Sequence, residues 1–388
     1  MKKNSSLRLL LLGNYYAFIV TGLIVLMTGA ILPYLMRDFG LTYDKGGLLL
    51  AIQAVGNLSA GVISGITSDY IGRKLTLIFG AICFVIGFGG ILFCSTTISL
   101  FIFIFVSGLG WGTLNNVVNA VVSDVTEGNS SILNLLHMFF AIGAFISPFM
   151  VGVSIKMGMG WRLPVALVVL LSGILIIVFS FMQVGYANKI STENKLSFEF
   201  LTDIRFFIFM GILFFYVGTE SSINGWLVTY LINTNLLSEG GAQSLLSGMW
   251  IVVIVGRLTC AYISTKFSNE KILVGSSTGI IIFLFLFLIS RNPIWIVFCI
   301  FALGISLAGI YPTTVSNASY LINGSGIATG LMLSCGGLGA SVIPLAVGFW
   351  AEKKGIHAGM FAIVLSSGVL VTLAVFNFIK SRGTAPSK

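Results

Sequence analysis

Gly185 to Asp203 reads GYANKISTENKLSFEFLTD, the longest polar stretch of the chain and the place of three of its twelve acidic residues. Apolar blocks flank it on both sides. A membrane-spanning helix takes about 20 predominantly apolar residues. Cutting the chain at charges and at Gly/Asn/Pro clusters gives blocks near residues 8–36, 44–68, 74–94, 98–124, 130–156 and 162–184 before this stretch. Six more follow it, near 204–234, 241–264, 270–290, 293–318, 325–350 and 357–380. The pattern predicts an all-α polytopic membrane protein of twelve spanning helices, with a six-helix bundle over 1–184, a linker over 185–203 and a second six-helix bundle over 204–388.

Composition excludes the other broad classes. Charged residues make up 9% of the 388 and hydrophobic residues 57%, against roughly 25% charged in a soluble domain. So few charges cannot cover a water-facing surface, and the lipid bilayer is the solvent that suits the apolar surplus. The net charge of +9 does not indicate nucleic acid, because Lys and Arg lie between apolar blocks and form no single basic patch with interleaved aromatics. Cys83, Cys94, Cys260, Cys299 and Cys335 all fall inside apolar blocks, without the spacing of a metal site. Two histidines on opposite predicted sides and one buried carboxylate leave no nucleophile–base pair or ligand set for an enzyme, and nothing calls for a cofactor. The first block, Leu9 to Met36, follows Lys2, Lys3 and Arg8. It is too long for a signal peptide and lacks a small-residue cleavage site, so it is retained as the first span.

An internal repeat supports two related halves. At an offset near 196 residues, Gly22, Gly29 and Tyr34 recur as Gly218, Gly225 and Tyr230, and Gly108 recurs as Gly304. Gly143, Ala144, Pro148 and Gly152 recur as Gly339, Ala340, Pro344 and Gly348; at an offset of 200, Gly56, Leu58, Ile63 and Ser64 recur as Gly256, Leu258, Ile263 and Ser264. Six intervening helices give each pair the same orientation, which is the parallel-repeat design that places a transport site between halves. The side holding the termini and the linker carries 14 of the 21 Lys and Arg residues, Arg257 counted among them. The positive-inside rule therefore makes both termini cytoplasmic.

Gly65 to Lys74 reads GITSDYIGRK, a G-x-x-x-D-x-x-G-R-K pattern across the end of helix 2 and the start of helix 3. Gly65 permits close helix approach, Asp69 offers a partner for a cation or a helix N-terminus, and Gly72 marks the turn. Arg73 and Lys74 are placed to anchor the loop at anionic headgroups. The pattern resembles the cytoplasmic loop signature of the major facilitator superfamily, which implies twelve helices in two bundles and alternating access. Leu133–Ala144 (LNLLHMFFAIGA), Tyr216–Leu231 (YVGTESSINGWLVTYL), Gly256–Ser264 (GRLTCAYIS) and Gly309–Thr313 (GIYPT) are similar to segments of the fucose-galactose-glucose:proton symporters of that superfamily. That resemblance implies cation-driven uptake of a monosaccharide across a bacterial inner membrane. The helix 1 and helix 4 positions that are acidic in fucose permease are Gly29 and Asn115 here, and His137 stands where it has glutamine, so its coupling mechanism does not carry over.

Polar residues inside the spans mark candidate contacts with substrate, because intramembrane polar groups tend to face a wet cavity. Helix 2 offers Gln53 and Asn57, helix 4 Asn115 and Asn119, and helix 5 Asn134 and His137. Amides both donate and accept, as sugar hydroxyls require. Glu220 is the one carboxylate well inside a span, a candidate for substrate binding and for coupling to a proton or sodium ion. Asn224 lies one turn on, and Trp226 is offered as a stacking face. The expected carrier is a sugar importer acting as a monomer. Gly143–Gly152 (GAFISPFMVG) resembles the Gly/Pro-rich helix 5 signature of exporters, which raises a multidrug or other small-molecule antiporter as the alternative, beside a transporter-like sensor.

Overall fold

The computed structural model describes residues 2–127, 129–182, 199–322 and 325–383. The first half comprises α1 (Lys2–Phe39), α2 (Tyr43–Tyr70), α3 (Arg73–Phe93), α4 (Thr97–Val125), α5 (Ser130–Lys156) and α6 (Arg162–Phe181). The second comprises α7 (Ile204–Asn233), α8 (Glu239–Ile263), α9 (Asn269–Ile289), α10 (Pro293–Ala308), α11 (Ile310–Ile322), α12 (Gly326–Lys354) and α13 (Ile356–Gly383). Twelve spans are long and apolar enough to cross a membrane. Helix is the expected form there, because it satisfies every backbone donor and acceptor within the segment. Most of the linker, residues 183–198, lies outside the described residues; Glu199–Thr202 forms a single 3₁₀ turn.

Helix starts follow cap chemistry. The Thr96 and Ser99 side chains form a capping box at α4, Asn129 caps α5, Ser238 caps α8 and Ser325 caps α12. Asp203 Oδ1 accepts the Arg205 backbone N–H at 2.8 Å at the head of α7. The Arg205 guanidinium also bonds it, holding this carboxyl below the usual carboxylate range. Between α2 and α3, Gly72 has φ +85°, a left-handed conformation that explains the glycine at that point of the loop signature.

The tenth span departs from expectation: block 293–318 is two helices, α10 and α11, interrupted at Gly309. Pro312 has no N–H to give the Ala308 carbonyl, so the α-helical ladder loses a rung there. Gly309 meanwhile packs so closely on Cys260 of α8 that a methyl group would reach within 2.6 Å of its sulfur.

Two pairs of repeat-related glycines make corresponding contacts in the two halves. Gly143 of α5 lies on the Ile19 carbonyl of α1, and its counterpart Gly339 of α12 lies on the Phe214 carbonyl of α7. Gly108 of α4 meets Gln53 of α2; Gly304 of α10 meets Met249 of α8. The face shared by the chain ends, the α2–α3 turn and the linker is termed terminal, and the opposite face distal. The halves are sealed distally. Tyr43 N–H donates to Glu352 at 2.8 Å, Asn233 donates to the Tyr43 hydroxyl at 3.0 Å and Gln243 donates to the Ala30 carbonyl at 2.6 Å, each bond crossing between halves. Gly47 packs on Pro344 and Gly348, and Gly29 on the Asn224 carbonyl. Toward the terminal face the seam opens: nothing lies within 4 Å of a Cβ at Gly65 or Gly330, and Asn116, Asn134, His137 and Tyr311 are exposed.

Candidate functional site

The parted seam forms a cavity roofed by an aromatic contact. Phe140 of α5 and Trp250 of α8 meet across the halves at 6.1 Å in a T-shaped arrangement, and Trp250 Nε1–H donates to Asn224 Oδ1 at 3.2 Å. Below them, Asn115 (α4), His137 (α5), Arg257 (α8) and Tyr311 (α11) each lie roughly five turns in from the distal ends of their spans, Tyr311 counted from Pro293 at the start of α10, so they share one depth. His137 and Tyr311 sit deep among protein atoms and are still reached by solvent. That combination describes the wall of a narrow cavity, whereas a lipid-facing side chain lacks the surrounding protein.

Glu220 of α7 stands between one and two turns nearer the distal side. Its Oε1 accepts the Tyr216 hydroxyl hydrogen at 3.0 Å, a bond between side chains one turn apart on α7. The charge of Arg257 reaches Glu220, Tyr216, Tyr311 and His137. Among the described residues no carboxylate lies within the 4.0 Å of an ion pair with Arg257, and its buried Nε has no partner. The side chains of Asn57, Asn134, His137 and Tyr311 likewise make no hydrogen bond to described residues. Polar groups are left unpaired by protein where water or a ligand pairs them instead.

Other sequence candidates take different places. Gln53 is 5% exposed and directs its amide to Ser107 at 3.4 Å, an interhelical contact between α2 and α4. Asn119 is half-buried and spends Nδ2 on the Asn115 carbonyl of its own helix at 2.7 Å. Asn224 is engaged by Trp250. The stacking role for Trp226 is corrected: the ring is fully buried, Nε1–H donates to the Pro344 carbonyl at 3.0 Å, and it packs near Tyr43 in the distal seam. Six residues from Glu220 carry it about 240° around the helix, away from the cavity. Gly29, where the resemblance has an acid, abuts the Asn224 backbone so closely that no side chain fits.

The loop signature also differs from expectation. Arg73 pairs with Asp124 at the end of α4, and Lys74 Nζ donates to the Ser180 carbonyl of α6 at 2.6 Å. Both cations therefore tie the loop to their own half rather than reaching for headgroups. Gly65 approaches no other helix. The Asp69 side chain is outside what the structure describes, although its backbone belongs to α2. Arg257, counted among the cations of the terminal side, belongs instead to the cavity wall. The remaining 13 still outnumber the 7 opposite.

Comparison with known proteins agrees with this architecture. Residues 15–344 match the model of the Major Facilitator Superfamily. A glucose/mannose transporter, GlcP of Bacillus subtilis (strain 168), is 26% identical over 387 residues, covering 94% of this chain and 93% of its own. Among solved structures, a mutant form of the nucleoside transporter NupG superposes with a TM-score of 0.81 at 15% identity, covering 96% of this chain and 99% of that one. A D-xylose–proton symporter superposes at 0.77 and 13% identity, covering 96% and 97%.

Proposed function

Because the chain belongs to the major facilitator superfamily, a superfamily of transporters and not of enzymes, we propose that it imports a monosaccharide by alternating access. The substrate class is a hexose or deoxyhexose such as glucose, galactose or fucose, and uptake is driven by a proton or sodium ion. The observation that carries this reading is the set of unpaired amide, imidazole and phenol groups between the halves, together with the Glu220 carboxylate, which is bonded only within its own helix to Tyr216. They offer both donors and acceptors, as a polyol needs. The full-length likeness to a glucose/mannose transporter supports the same class, and the xylose–proton symporter of like fold supports coupling.

In this reading residues 1–184 and 204–388 rock as two bodies about the seam, joined by a cytoplasmic linker at 185–203 in a bacterial inner membrane, and the protein works as a monomer. Both termini are cytoplasmic, so the cavity faces inward. Asn57, Asn115, Asn134 and His137 bind sugar from one side; Glu220 binds from the other and couples transport to the driving cation. Gln53, Asn119 and Asn224 support the site through neighbouring helices. The Gly65, Asp69, Gly72, Arg73 and Lys74 loop controls opening of the terminal face.

Counterflow in proteoliposomes tests this reading. Radiolabelled glucose, mannose, galactose and fucose are to be compared with a nucleoside and with a lipophilic cation. Exchange of a sugar is expected; exchange confined to the nucleoside would assign the cavity to a different solute, and cation flux would favour the antiporter.

A further inference from the structure

We propose that Glu220 and Arg257 act as the two jaws of one clamp that closes on two hydroxyls of a single neutral sugar ring, making Arg257 a specificity-determining residue. This deepens the transport reading above and rests on it. The groups are unlike in what they do. A guanidinium presents five N–H donors in a planar fork and accepts nothing, whereas a carboxylate only accepts. Glu220 uses one oxygen on Tyr216 and spends the other on no described residue. Arg257 has a buried, partnerless Nε, and the carboxylate whose field it shares lies beyond ion-pair distance.

Two opposite charges held apart in a poorly solvated wall are a costly arrangement, because neither gains the contact that would repay its desolvation. A ligand that bridges them removes that cost. It must accept from Arg257 and donate to Glu220, and a hydroxyl does both. A ring carrying hydroxyls on neighbouring carbons satisfies both jaws at once, and the Tyr311 hydroxyl, unpaired at the depth of Arg257, supplies a third contact. Charge selects among such ligands. The jaws cancel each other, so a neutral ring leaves the wall balanced. A sugar carboxylate would pair with Arg257 but set its negative charge beside Glu220, and an amino sugar would pair with Glu220 but set its positive charge beside Arg257, so each carries a like-charge penalty at the other jaw.

The position fits the repeat. Gly256–Arg257 corresponds at the offset of 200 to Gly56–Asn57, so the second helix of each half carries a polar residue on the same face, about one turn apart in depth, an amide in one half and a guanidinium in the other. The equivalence explains how a cation comes to lie in the last turns of α8 without joining the surface charges.

The test is equilibrium binding of radiolabelled D-glucose and D-mannose to purified full-length protein, with competition by D-glucuronate, D-glucosamine and the monodeoxyglucose series. D-Glucuronate and D-glucosamine are expected to bind at least tenfold more weakly than glucose. At least one monodeoxy analogue should lose tenfold or more, because a site built to pair a hydroxyl rejects the analogue that lacks it. Arg257→Lys keeps the charge and loses the fork, so its glucose affinity should fall tenfold or more. Its discrimination against that deoxy analogue should fall at the same time, as coupled partners require. Should the variant fail to accumulate, the competition series on the unaltered protein decides alone. Glucuronate binding as tightly as glucose, uniform binding of all deoxy analogues, or unchanged affinity in Arg257→Lys overturns the clamp while leaving sugar exchange in counterflow intact. Absence of exchange for every sugar overturns the transport reading itself.

Discussion

Along the cavity, the half built from α1–α6 presents asparagines and one histidine, whereas the half built from α7–α13 presents a carboxylate, a guanidinium and a phenol, Tyr311. Several glycine contacts correspond across the two halves, Gly143 with Gly339 and Gly108 with Gly304. The chemistry on the facing walls does not. A duplicated backbone thus fixes where side chains stand, and divergence decides what they are. Amides bind hydroxyls without changing charge, so the first wall is suited to holding a solute in every protonation state. His137 is the one titratable group of the first wall, whereas the second wall holds a carboxylate and a guanidinium, and the proposed coupling group, Glu220, stands there.

The largest expected effect removes that asymmetry. Glu220→Gln keeps size and hydrogen-bonding capacity but cannot ionise, so uphill accumulation should collapse to equilibrium, a loss of tenfold or more, while counterflow persists. Retained accumulation in energised vesicles would move coupling away from this wall. Next is Gly29→Ala, which tests whether the helix 1 position is closed to any side chain. The methyl would overlap the Asn224 carbonyl, so insertion into the membrane should be normal and flux should drop about tenfold through failure to seal the distal side. Wild-type flux would show that the seam yields. A smaller change is expected of His137→Gln, which turns the first wall into amides alone. Losing or re-aiming one neutral hydrogen bond costs about 1 kcal/mol, so apparent affinity should change by about fivefold or less, with the pH profile of uptake unaltered. A displaced profile would show that the histidine titrates in the cycle. The smallest effect belongs to Trp226→Phe. It removes the bond to Pro344 but leaves the cavity untouched, so sugar affinity should stay within twofold, as equilibrium binding would show; a larger loss would restore the stacking role.

The twelve spans, the two-half repeat and the family were legible because they depend on averages over long segments: hydropathy, charge distribution and ordered glycines. Single side chains were less legible because rotation about a helix decides their fate. Trp226 is close to Glu220 in sequence and turned away from it in space. Gln53 and Asn224 carry the same chemical invitation as Asn57, yet neighbours on α4 and α8 had already engaged them, and one sequence does not display its neighbours. Arg257 was visible as a charge and misplaced as a surface one; its alignment with Asn57 in the repeat was the available signal. The break at Gly309 escaped because hydropathy windows register apolarity and ignore continuity, although Pro312 stood in plain view.

That break gives the tenth span a mechanical character its neighbours lack. A continuous helix transmits torque along its whole length; α10 and α11 are two rods meeting at a joint where one rung is missing, with the upper rod pressed against α8 and the lower one bearing Tyr311 into the cavity. Motion of the lower rod need not drag the upper one with it. In the proposed cycle, a short movement of α11 carrying a single phenol can precede rocking of the whole half. Amide hydrogen exchange should accordingly be fastest within this span at Gly309 to Tyr311, before Pro312, which has no amide proton, and Thr313, whose N–H is bonded to the Gly309 carbonyl.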